Sequence, residues 1–140
     1  MVIKNSYKIY SIFLFLIIIL GLIFFKKDNK TFEFPIGKWK AVYKNQNIEL
    51  ILKKNRDCEL KIISNTNDKI EKYKGRCNFD FKKKPNTFIM SKIANFSSSL
   101  YSIVNIKNNN LIYMSELSTR WRLRPISFEK DNLIKLKKEI

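Results

Sequence analysis

The sequence predicts a mainly β protein: an N-terminal single transmembrane helix followed by a small antiparallel meander, a β-barrel or sandwich of about eight strands. Three observations carry this. Ile9–Phe25 is uncharged throughout and bounded by Lys8 and by Lys26-Lys27. From Ile36 onward, apolar and polar residues alternate in short runs. Asn-, Asp- and Lys-rich stretches separate those runs, as turns do. The organisation is a short basic tail over 1–8, an anchor over 9–25, a tether over 26–35 and a β-domain over 36–140.

At ~1.5 Å per residue, a helix over Ile9–Phe25 reaches about 26 Å, a little short of a ~30 Å hydrocarbon core. Flanking lysines can snorkel across the difference. A basic tip before an apolar run also opens a secretory signal, but this run exceeds the usual signal core of about 7–15 residues. Its exit, Gly21-Leu22-Ile23-Phe24-Phe25, shows no A-x-A pattern, so the segment reads as an uncleaved anchor. Lys26, Lys27 and Lys30 against Lys4 and Lys8 favour a cytoplasmic β-domain by charge. The paired cysteines favour the opposite side, and the expectation follows them: a single-pass protein of the bacterial cytoplasmic membrane, with its C-terminal domain periplasmic or extracellular.

Along the β-domain, Gly37, Trp39, Ala41 and Tyr43 share one face. Ile48, Leu50 and Leu52 form the next inward row, followed by Cys58, Leu60 and Ile62. Tyr73, Gly75, Cys77, Phe79 and Phe81 face one way, against Lys72, Lys74, Arg76, Asn78 and Asp80. Lys82-Lys83-Lys84-Pro85-Asn86 is a basic turn. Phe88–Ile93, Leu100–Ile106 and Leu111–Ser115 continue the meander, and Arg120, Arg122 and Arg124 alternate with Trp121 and Leu123 as a further strand. Leu133–Ile140 closes the domain.

A two-residue loop at Asn67-Asp68 sets Cys58 opposite Cys77 on the apolar face, at disulfide distance. Such a bridge contributes on the order of 3 kcal/mol in the chain-entropy model. Two buried free thiols are the alternative.

Composition excludes much chemistry. There is no histidine, hence no usual general base and no Ser-His or Cys-His nucleophile. Only Gly21, Gly37 and Gly75 occur, too few for a phosphate-cradling loop. Two cysteines without histidine make no metal site, and no cofactor is expected. The chain does not read as an enzyme. Residues 1–30 hold five lysines and one aspartate, so +4 of the formal +16 lies there and +12 remains in residues 31–140. Such a domain is drawn to anionic surfaces, although the abundance of lysine, asparagine and isoleucine also fits a compositional bias. Nucleic acid is disfavoured, because Phe79, Phe81 and Phe88 fit core alternation better than base stacking.

Gly37-Lys38-Trp39 resembles the G-x-W opening of the lipocalin-like (calycin) barrels. In that family a basic residue near the last strand packs across the tryptophan, which implies that role for Arg120, Arg122 or Arg124, Arg124 foremost. Gly37, Trp39 and Trp121 are then structural. The small, anchored, non-catalytic build also resembles that of bacterial immunity proteins against toxins acting at the envelope.

The expected function is stoichiometric capture of an acidic macromolecule at the membrane, an acidic protein foremost. The binding candidates are Arg120, Arg122, Arg124, Lys38, Lys40, Lys72, Lys74 and Arg76 on polar strand faces. The alternatives are a lipocalin-like carrier of a small apolar ligand and an accessory subunit of a membrane complex.

Overall fold

The alternating runs become eight strands in the computed structural model, which describes residues 3–24, with the side chains of 10–21, and residues 32–140 in full. They are β1 (Gly37–Tyr43), β2 (Gln46–Leu52), β3 (Asp57–Ser64), β4 (Ile70–Asp80), β5 (Thr87–Ser91), β6 (Leu100–Asn108), β7 (Leu111–Ser115) and β8 (Leu133–Lys138). Each pairs antiparallel with its predecessor, and β8 returns to β1 through Trp39↔Lys138 and Lys40↔Lys137. The result is a closed up-and-down barrel. Closure, rather than a two-sheet sandwich, satisfies both edges of the sheet.

The chain divides into two compact units, Met1–Phe32 and Glu33–Ile140. The first contains helix α1 (Ile3–Phe24). Every side chain from Tyr10 to Leu20 is exposed, on all sides of the helix. Among the described residues, no helix is long and apolar enough to cross a membrane. The transmembrane span expected over Ile9–Phe25 is therefore not established; the side chains of Ile9 and of residues 22–25 lie outside the described residues. So do Lys26, Lys27 and Lys30 of the expected tether and the side chains of Lys4 and Lys8.

In the second unit, antiparallel order sorts the connections between two ends. At the near end, where β1 begins and β8 stops, lie residues 53–56, 81–86 and 109–110. At the far end lie 44–45, 65–69, 92–99 and 116–132. Of the two two-residue connections, Lys44-Asn45 has both residues at positive φ (44° and 58°), which suits the twist of a hairpin.

The inward rows fall as the alternation predicts. Trp39, Leu50, Phe88, Met90, Ile112 and Leu136 are each at most 1% exposed and fill the middle of the barrel. Aromatic rings pack the near end: Phe79 lies 5.5 Å from Phe34, 5.2 Å from Phe88 and 6.0 Å from Phe81. Phe34 arrives from the segment before β1. At the far end Tyr73 packs edge-on against Phe96 at 5.5 Å, and the Tyr43 hydroxyl donates to the Asp131 carbonyl at 2.5 Å.

The seam between β1 and β8 corrects one expectation. The cation over the Trp39 ring is Lys138 on the last strand, its Nζ 5.7 Å from the ring centroid, whereas Arg124 lies over Trp121 instead. The reason is register: Ile134, Leu136 and Lys138 share one face of β8, and Lys138 is the partner of Trp39. The Trp39 indole N–H donates to the Pro35 carbonyl at 3.0 Å, tying the incoming chain to the barrel floor.

Cys58 and Cys77 form the expected disulfide, with Cα atoms 5.8 Å apart. The register that suggested it is wrong by two residues. Cys58 pairs with Gly75, while the Cys77 N–H donates to the Arg56 carbonyl at 2.9 Å. The turn is not the two-residue loop Asn67-Asp68: β3–β4 pairing ends at Ile63↔Ile70, and five residues, 65–69, turn the chain. A two-residue slip keeps every side chain on its own face, so both cysteines still point inward and bridge diagonally.

Candidate functional site

The long connection at the far end, residues 116–132, is where this sequence departs furthest from plain hairpins. Its departure begins in β6–β7. Val104 pairs with Met114, yet the last bridge, Tyr101↔Ser118, is one residue out of step. Two buried serines cover the irregularity. The Ile103 N–H donates to Ser115 Oγ at 3.1 Å, and the Ser102 hydroxyl lies within reach of the Ile103 and Ser115 carbonyls at 2.8 and 3.0 Å. Side-chain hydroxyls thus supply bonds that an unbroken ladder would have made.

Beyond Ser118 the expected strand of alternating arginines does not form. Ser118 Oγ accepts the Arg120 N–H at 3.2 Å and starts a turn, and Trp121–Leu123 is a single 3₁₀ turn with Leu123 N–H donating to the Arg120 carbonyl at 3.1 Å. Residues three apart eclipse in a 3₁₀ helix, so Arg124 comes to lie over Trp121, its guanidinium carbon 3.8 Å from the ring centroid. Trp121 is correspondingly not a core residue. It packs edge-on against Tyr101 at 5.5 Å and is 39% exposed. Leu123 and Ile126 are 66% and 73% exposed. The loop closes through Asn132, whose Oδ1 accepts the Glu129 N–H at 2.9 Å and whose carbonyl accepts the Glu116 N–H at 2.9 Å.

This geometry separates the candidate cations. On the barrel wall, Lys38 pairs with Glu139 and Glu49 at 3.2 and 3.6 Å, and Lys40 with Glu139 at 2.6 Å. Lys72 and Lys74 share Glu59 at 2.9 and 3.8 Å. The hydrogen bond from Lys72 holds the Glu59 carboxyl below its usual range, and those from Lys40 and then Lys38 do the same to Glu139. Glu139 in turn raises the Lys38 ammonium. Arg76 reaches the Asn55 carbonyl at 3.3 Å. All five have partners on adjoining strands or in the segments next to them.

Arg120 and Arg122 differ. Both are exposed, and among the described residues neither side chain has a hydrogen-bond or ion-pair partner. The sequence marked the three arginines but missed Leu123 and Ile126, because R-W-R-L-R imitates a strand. Pro125 and the Ser118-Thr119 pair were the contrary signals. The assembled surface holds two unpaired guanidinium groups and one stacked on an indole, beside exposed aliphatic side chains. It can grip carboxylates and bury apolar area at once.

Among the described residues no group of three or more His, Cys, Asp or Glu side chains is placed to hold a metal. No family model, curated protein or solved structure matches this chain, so the eight-strand closed barrel is compatible with a lipocalin-like barrel without being assigned to that family.

Proposed function

We propose that this chain is a membrane-anchored, non-catalytic binding protein that captures an acidic protein outside the bacterial cytoplasmic membrane, in the manner of an immunity protein neutralising a toxin. The observation that carries this reading is the 116–132 loop, where Arg120 and Arg122 stand unpaired beside exposed Trp121, Leu123 and Ile126. Arginine and tryptophan together are the side chains most often found at the energetic centre of protein interfaces. Apolar exposure on every side of α1 supports insertion into lipid, since water penalises such a helix. The Cys58–Cys77 bridge supports an oxidising compartment. The filled barrel interior weighs against the carrier alternative.

The test is a photo-crosslinker placed at Leu123, with a control at Lys61 on the wall, in cells making the full chain. One predominant acidic protein should be trapped at Leu123 only, and Arg120→Gln with Arg122→Gln should abolish trapping while leaving the melting temperature unchanged. Equal trapping at both positions would remove the loop from consideration.

A further inference from the structure

The two ends of the barrel differ in charge. At the near end the connections 53–56, 81–86 and 109–110 contain Lys53, Lys54, Arg56, Lys82, Lys83 and Lys84 and no carboxylate at all. All six side chains are exposed. At the far end the cations of the connections are interspersed with Asp68, Glu116, Glu129 and Asp131. Of the acids at this end, Asp57 accepts from Asn55 Nδ2 at 2.7 Å, Asp80 accepts the Lys82 backbone N–H at 3.0 Å and Glu139 pairs with Lys38 and Lys40, while Glu33, ahead of β1, is exposed. Arg56 lies over Phe34 at 5.6 Å and donates to Asn78 Oδ1 on β4 at 2.5 Å, which holds it where the rim meets the wall. Lys107 and Lys137, both exposed, flank the same end, and so does Ile36, 44% exposed.

We infer that this near end docks on an anionic phospholipid surface. The inference rests on the membrane anchorage proposed above and adds to it which surface of the barrel meets the lipid. Three features favour lipid over other polyanions. β1 begins at this end, so the residues leading into the barrel reach it here. The lysines of the two basic loops alternate with no exposed aromatic rings on which bases would stack. Clustered lysines are attracted to anionic head groups within about a Debye length of a lipid surface. Docking by the near end turns the opposite end, with Arg120, Arg122 and Trp121, toward solution, where a partner can reach it.

The experiment uses the full chain reconstituted into vesicles of phosphatidylcholine alone or with about a quarter phosphatidylglycerol. Lysine acylation is followed residue by residue by mass spectrometry. Lys53, Lys54, Lys82, Lys83 and Lys84 should react roughly three- to tenfold more slowly in the anionic vesicles, while Lys92 and Lys130 at the far end react equally in both. High salt should erase the difference. Replacing Lys82, Lys83 and Lys84 by Gln should restore the reactivity of Lys53 and Lys54. Equal rates in the two lipids, with the chain retained after an alkaline wash, overturn the docking and leave the anchor standing. Loss of the chain from both vesicles overturns the anchor and the docking with it.

Discussion

A side chain at Gly37 would meet Lys138: a Cβ built there lies 2.7 Å from Lys138 Cε. Gly37 also sits at φ +136°, a region that residues with a Cβ rarely adopt. The lysine stem passes over the glycine to reach the Trp39 ring, and this crossing closes the barrel floor. Gly37→Ala should therefore lower stability by about 1–3 kcal/mol, read from urea unfolding. Lys138→Ala should cost about 0.5–1 kcal/mol, and the double variant less than the sum, because shortening the lysine leaves room for the new methyl. Strict additivity would separate the glycine from the lysine.

Reduction of Cys58–Cys77 should destabilise the barrel by about 3 kcal/mol, and Cys58→Ser should equal Cys77→Ser in its effect on melting. Both thiols are buried beside the same pair of strands, β3 and β4. Native protein that labels fully with a thiol reagent before reduction would contradict the bridge.

Ser115→Ala should cost about 1–3 kcal/mol, because the Ile103 N–H loses its acceptor in a dry site. The same change frees the start of the 116–132 loop, so proteolytic nicking there should accelerate by more than the stability loss explains. Ser127→Ala, on an exposed residue of the same loop, is the control.

Arg124→Gln should shift Trp121 emission and lower stability by about 0.5–1 kcal/mol, since the stack and the exposed 3.3 Å hydrogen bond from Arg124 to the Trp121 carbonyl are lost together. Arg120→Gln and Arg122→Gln should leave both readings unchanged and act on capture alone. Trp39 emits from the core, so a Trp39→Phe background isolates the Trp121 signal; an unchanged spectrum in Arg124→Gln would dismiss the stack.

Glu59 and Glu139 have depressed pKa values in the folded state. Their ion pairs therefore contribute stability above the ordinary carboxylate range, and that contribution disappears as pH falls through the lower folded values. The barrel should hold a flat melting temperature from about pH 6 to 8 and lose stability below about pH 4.5. The pairs are solvent-exposed, so high salt should flatten most of this acid slope, and Glu139→Gln should remove only a small part of it. An acid slope that is unaffected by salt would move its cause away from these pairs.

What the sequence determined by itself was the face of each residue. Alternation with period two assigns Trp39, Leu50, Leu60, Cys77 and Phe79 to one side whatever the register, so the inward rows, the meander and even the disulfide survived a two-residue error at the β3–β4 turn. The tertiary structure decided what depends on absolute position around the closed sheet. Sequence spacing does not say how many residues a turn consumes, nor which β8 residue stands beside Trp39; both follow from pairing between distant parts of the chain, as between Trp39 and Lys138. The candidate site was half legible for the same reason. Arg120, Arg122 and Arg124 alternate with Trp121 and Leu123 as in a strand, but β8 already holds the place beside β7. With the barrel closed there is no edge left to pair with, and the local Ser118 turn and the Arg124–Trp121 stack set the shape of the loop instead.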